Sequence, residues 1–135
     1  MVQGIAMAAL VAVAAPADAQ SHVVAAPVYQ LRVYELYPHS KAAFHVRFRD
    51  HATRIMRRHG FEIVAMWESG TAEKPEFAYL LRWPDEARMK AAWSAFMADA
   101  EWARIKRETP AEHRPIVGAI QDRTLRLTDY SPTVK

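Results

Sequence analysis

Val28-Tyr-Gln-Leu-Arg-Val-Tyr-Glu-Leu-Tyr37, closed by Pro38, is the stretch whose reading decides the fold. Its β-branched, aromatic and aliphatic residues with polar interruptions predict a first strand, and the proline stops it because it has no amide to give to a ladder. Both alternating sets are bulky: Leu31, Val33 and Tyr37 on one side, Tyr34 and Leu36 on the other. A strand with one wet face would alternate apolar with polar. The sheet that contains it is therefore expected to be covered on both faces.

Downstream, Ser40 is a candidate N-cap, and Phe44, Phe48, His51, Ala52 and Ile55 recur at helical spacing, which predicts an amphipathic helix ending at His59-Gly60. Phe61 to Glu68 reads as a second strand, with Ile63 and Trp67 on one face and Val64 and Met66 on the other. A turn-rich link through Ser69-Gly70 and Lys74-Pro75 makes Glu76 to Trp83 its hairpin partner. Pro84-Asp85 opens a second helix whose apolar stripe is Met89, Ala92, Trp93, Phe96 and Met97. Asp99 caps a shorter helical segment carrying Trp102 and Ile105, and Val117 to Leu127 reads as the last strand.

The order strand, helix, strand, strand, helix, strand defines an α+β, ferredoxin-like βαββαβ domain, an antiparallel sheet with its helices on one face. Two helices cover one face only. The other would leave an apolar patch that a soluble domain seldom exposes, so pairing sheet to sheet in a homodimer is expected.

At 135 residues the chain has room for one domain, expected over 28–131. Before it, Ile5 to Ala15 is almost continuously apolar and Ala17-Asp18-Ala19 has the small-x-small pattern of a signal-peptidase site, so residues 1–19 read as a signal peptide and 20–27 as a flexible lead. The run is short for a bilayer span, and no later segment is longer, so the mature chain is expected to be periplasmic or secreted with no transmembrane span. Cleavage removes Asp18 and no base, which raises the net charge from +3 to +4. Part of that charge lies in Arg47, Arg54 and Arg58, which an α-helix would place on one stripe. The stripe reads as a solvated face or as a surface for an anionic ligand or lipid, and export argues against nucleic acid. With no cysteine, thiolate catalysis and Cys-type zinc sites are excluded.

His51 is the candidate base, since the 44-48-51-55 spacing aims its imidazole at the sheet. Arg32 is the candidate anchor for a carboxylate or enolate, with Tyr34 on the same strand face, and Trp67, Trp83 and Trp93 are candidate substrate walls. No metal site is expected, because no two histidines are four apart on a helix. Four glycines make no phosphate cradle or nucleophile elbow, so no cofactor is expected beyond the minor reading of a haem held by His51 or His59.

Four motifs in this order, Tyr29-Gln-Leu-Arg-Val-Tyr-Glu-Leu, His59-Gly-Phe, Phe77-Ala-Tyr-Leu-Leu-Arg-Trp and Ala98-Asp-Ala-Glu-Trp102, resemble the NIPSNAP family over Val28 to about Ser131. Ala100 stands where that family more usually has proline. The resemblance implies a dimeric α/β barrel and implies no reaction, since the wider barrel group includes monooxygenases, haem-degrading enzymes and isomerases. The function expected is an exported homodimer that binds a small apolar or anionic molecule. The alternatives are a cofactor-independent monooxygenase or isomerase, and an interaction module acting through the arginine stripe.

Overall fold

The computed structural model describes residue 14 and residues 26–134. Four nine-residue strands, β1 (Val28–Leu36), β2 (Glu62–Gly70), β3 (Pro75–Trp83) and β4 (Val117–Leu125), form one antiparallel sheet in the order β2-β3-β1-β4. This is the ferredoxin-like arrangement. The helices are α1 (Lys41–Arg47), α2 (Thr53–Arg58), α3 (Glu86–Met97) and α4 (Ala100–Glu108), all serving one face of the sheet. No helix among the described residues is long and apolar enough to cross a membrane.

Register assigns the faces. Val28, Gln30, Arg32 and Tyr34 stand opposite Trp83, Leu81, Tyr79 and Phe77 and point to the helices. Leu31 and Val33, opposite Leu80 and Ala78, lie on the far face with Trp67. The face of β3 toward the helices is nearly sealed: Tyr79 and Leu81 are fully buried and Trp83 almost so.

Helices α1 and α2 are joined without a break by a π-helical turn, Phe48–Ala52. The Thr53 amide donates five residues back to the Phe48 carbonyl, and the Thr53 hydroxyl takes the Arg49 carbonyl at 2.9 Å, the acceptor an α-turn would give the amide. One extra residue in the turn moves the buried stripe to Phe44, Phe48, Ala52, Ile55 and Met56. His51, which straight α-periodicity aims at the sheet, is therefore rotated off that stripe. The same turn breaks the Arg47-Arg54-Arg58 stripe.

The helix ends are closed by local chemistry. At the end of α2, Gly60 (φ +84°) closes a Schellman motif in which its amide donates to Arg57 and the Phe61 amide to Met56. Asp85 and Asp99 accept the amides of Arg88 (2.7 Å) and Trp102 (3.0 Å) as N-caps of α3 and α4. Ser40 does not cap α1 with its side chain. It is fully buried, and its hydroxyl donates instead to the Pro115 carbonyl at 3.2 Å, tying the start of α1 to the entry of β4.

An ionic clasp joins α2 to α4. Asp99 accepts from Arg58 (2.8 Å) and pairs with His59 (2.7 Å), while Glu101 takes Arg54 (2.5 Å) and Arg58 (3.0 Å). Hydrogen bonds from Arg54 and then Arg58 bring the Glu101 carboxyl from 4.5 down to about 2. A carboxyl whose pKa is depressed by folding adds stability above its unfolded pKa and loses it as pH falls toward the folded one. Wild type should therefore lose melting temperature between pH 4.5 and about 2 faster than Glu101→Gln, with the two curves closest at the acid end. Circular-dichroism melts across that window check this, and parallel curves would refute it.

Candidate functional site

The polar residues of β1 that face the helices form one network, running from the buried Gln30 and Tyr79 out to the half-exposed Asp122 on the edge strand β4. The Gln30 side-chain carbonyl accepts the indole N–H of Trp83 (3.1 Å) and of Trp93 (2.7 Å), and its amide donates to Asp122 on β4 (3.0 Å). Asp122 also accepts from Arg32 at 2.6 Å. Arg32 then donates to the Tyr34 hydroxyl (3.3 Å), which shares a 2.7 Å hydrogen bond with Tyr79. The guanidinium lies 4.3 Å from the centre of the Trp93 ring, a cation–π contact.

Electrostatics in this network is settled by its partners. Burial disfavours the Arg32 charge, but the Tyr34 and Tyr79 hydroxyls and Asp122 outweigh burial and hold the group above its ordinary range. Burial, followed by Tyr34, pushes the Tyr79 hydroxyl up, so it stays neutral. Both Gln30 and Tyr79 lie deep, whereas Arg32 keeps 15% of its side chain accessible, enough to meet a ligand.

Arg32 and Tyr34 line an inner cavity of about 250 Å³ between the sheet and the helices. Its apolar walls include Phe44, Phe48, Met56, Phe96, Val117 and Ile120, and Trp93, Trp102, Arg47 and Lys106 complete the aromatic and charged part. The ring of Phe96 stacks on Trp102 with centroids 5.2 Å apart. Met97, expected in the core, is 57% exposed and lines this cavity from its rim.

The sequence-predicted residues are only partly brought together. Arg32, Tyr34 and Trp93 meet at the inner cavity. Trp83 is a core residue that holds Gln30, and Trp67 is half-exposed on the far face of the sheet, so neither lines it. His51 lines a separate outer groove of about 440 Å³ between α1 and α4, with His113, Ile105 and Ile116. Arg47 lines both spaces. Among the described residues no three His, Asp or Glu side chains converge as metal ligands would.

The sequence groups Arg47 with Arg54 and Arg58, on a solvated face or a surface for an anionic ligand or lipid; in the structure Arg47 precedes the π turn and packs against α4, apart from the other two. Its guanidinium donates to the Thr109 hydroxyl at 3.2 Å and sits 5.4 Å from the Trp102 ring, and burial lowers its pKa with only Tyr34 opposing. Gln30 did leave a signal, because 30, 32 and 34 share one strand face and make a polar stripe in an otherwise apolar strand. Asp122 and Lys106 left none, since only the register of β4 and the packing of α4 bring them near.

The family profile of NIPSNAP matches residues 29–132. The chain belongs to the NIPSNAP family. Among solved structures, this NIPSNAP chain is similar to an uncharacterized NIPSNAP-like domain protein from Burkholderia xenovorans, with 17% identity over 82% of this chain and 93% of that one, at a TM-score of 0.68. A NIPSNAP family protein of unknown function from Agrobacterium tumefaciens gives 18% identity, 82% and 96% coverage and a TM-score of 0.67. SnoaB, a cofactor-independent oxygenase from Streptomyces nogalater, gives 13%, 81% and 100%, and 0.51. At these identities the likeness is one of fold. A search of curated proteins returned no match.

The Gln30 network makes a direct claim on stability. Gln30→Leu keeps the volume but strands the buried Trp83 indole N–H and removes a donor from Asp122, so it should cost about 1–3 kcal/mol. Denaturant unfolding followed by Trp fluorescence measures this, and a neutral result would mean that the network adds no net stability.

Proposed function

We propose that this NIPSNAP domain binds a small, mainly apolar molecule carrying an anionic oxygen group in the inner cavity. The observation that carries the reading is the position of Arg47: half-buried, on aromatic walls, and with no carboxylate within ion-pair distance among the described residues. A guanidinium removed from water is costly unless an anion meets it. The Phe, Met and Trp walls supply the apolar contact, and Arg32 with Tyr34 supplies donors at the floor.

A 2-naphthoate titration followed by calorimetry tests it. The acid should bind and neutral naphthalene should bind more weakly, while Arg47→Ala should weaken the acid by about tenfold, the worth of one charge-assisted hydrogen bond. Equal binding of the acid and the hydrocarbon would reject the reading.

A second reading, cofactor-independent oxygenation, is favoured by the contact of Arg32 with the Tyr34 hydroxyl at the cavity wall. Such donors suit an enolate or phenolate oxygen, the electron-rich form that such chemistry needs. In that reading Arg32 is the oxyanion partner and Tyr34 a proton-transfer group. SnoaB, described as an oxygenase of this kind, supports it by fold. Oxygen uptake on adding a polyphenol, lost in Arg32→Ala, would favour it over simple binding.

We further propose a homodimer closed over the far face of the sheet and an exported mature chain. Leu31, Val33 and Leu80 lie on that face, and Trp67 and Leu125 beside them are 48% and 40% exposed, which supports burial by a second copy. The expected cleavage point after Ala19 lies outside the described residues. Native mass spectrometry of protein recovered from a bacterial periplasm should give a dimer of chains beginning at Gln20, shifted to monomer by Trp67→Glu. An unprocessed monomer would sink both ideas.

A further inference from the structure

Resting on the reading of the inner cavity as a ligand site, we infer that the head group it takes is a dianionic oxyanion, met by Arg47 and Lys106 where they share the Trp102 indole. The cavity lining holds three cations, Arg32, Arg47 and Lys106, and no Asp, Glu or His. Arg32 is already matched by Asp122 at 2.6 Å. Arg47 and Lys106 have no carboxylate at ion-pair distance among the described residues, although most other arginines of α1, α2 and the π turn do.

Both unmatched cations lie over one ring, Arg47 at 5.4 Å and Lys106 at 5.8 Å from the Trp102 centroid. Cation–π attraction holds each there, but two like charges on one indole repel. A single negative charge would leave one of them uncompensated; a dianion neutralises both. The arginine fork can grip two oxygens while the lysine acts as a point charge on a third, a division of labour that suits a phosphate monoester or a pair of adjacent carboxylates. Phe96, stacked on Trp102, and Trp93 beyond it continue the wall inward, so the body of this ligand is flat and apolar.

The test compares 2-naphthyl phosphate, naphthalene-2,3-dicarboxylate and 2-naphthoate on the full chain by calorimetry at about pH 8, where a phosphate monoester with a second pKa of about 6 is dianionic. At least one dianion should bind about tenfold or more tighter than 2-naphthoate, and which of the two gains identifies the head group. Lys106→Ala should erase that advantage by weakening the dianion about tenfold more than it weakens 2-naphthoate, and Lys106→Arg should restore it. If 2-naphthoate binds and neither dianion binds tighter, or if Lys106→Ala leaves the advantage intact, the dianion inference falls and the cavity reading stands. If none of the three binds, the cavity reading itself falls.

Discussion

Two indole N–H groups, one carboxylate and one guanidinium all depend on the side-chain amide of Gln30. Its carbonyl is the acceptor for both Trp83 and Trp93, and its amide nitrogen reaches Asp122 on the neighbouring strand. Asp122 in turn fixes Arg32, and Arg32 reaches the Tyr34–Tyr79 pair. Strands β1, β3 and β4 and helix α3 are thereby locked to one another by polar contacts that tolerate little displacement. A polar network anchored in the core is expensive when half-made and specific when complete. It thereby fixes the floor of the inner cavity.

The roof is set by a different device. The π turn between α1 and α2 brings Met56 onto the buried face with Phe48 and Ala52, and it turns His51 away into the outer groove. The clasp of Arg54, Arg58 and His59 with Asp99 and Glu101 then fixes where α4 begins, and so where Trp102 stands. Asp99 serves twice, as cap of α4 and as counter-ion to α2. The position of Trp102 against Arg47 follows from the turn and the clasp together.

Much of this was legible in the residues alone. The order of elements, the strand boundaries to within about two residues, the Gly60 stop and the caps at Asp85 and Asp99 all follow from local rules, and the structure has them. So does the pairing of Arg32 with Tyr34 on one face, since strand alternation is local. Failures arose where a side chain overrode a regular period. Thr53 competes for a backbone acceptor and widens the helix, which no count of apolar spacings reveals, so His51 leaves the sheet-facing stripe for the outer groove and Arg54 and Arg58 fall out of line with Arg47. Ser40 stands at the N-cap of α1 as its sequence position predicts, but its hydroxyl finds a distant carbonyl rather than a local amide. Trp67 and Trp83 look alike in sequence, and only register separates the exposed ring from the buried one.

Arg32 and Arg47 show why proximity to a cavity does not by itself nominate an anchor. Arg32 has the better geometry for recognition, stacked on Trp93 and bonded to a tyrosine, yet its charge is already spent on Asp122. It can orient a neutral or partly charged oxygen but adds little net attraction for an anion. Arg47 has fewer fixed partners and an unanswered charge at the point where two hollows meet. In the proposed reading, the field that would draw an anion therefore comes from the helix side, while the donors that would align it come from the sheet. A ligand that satisfies both must span the cavity from α4 to β1, which favours a rigid body with its charge at one end and its hydrogen-bonding oxygen at the other.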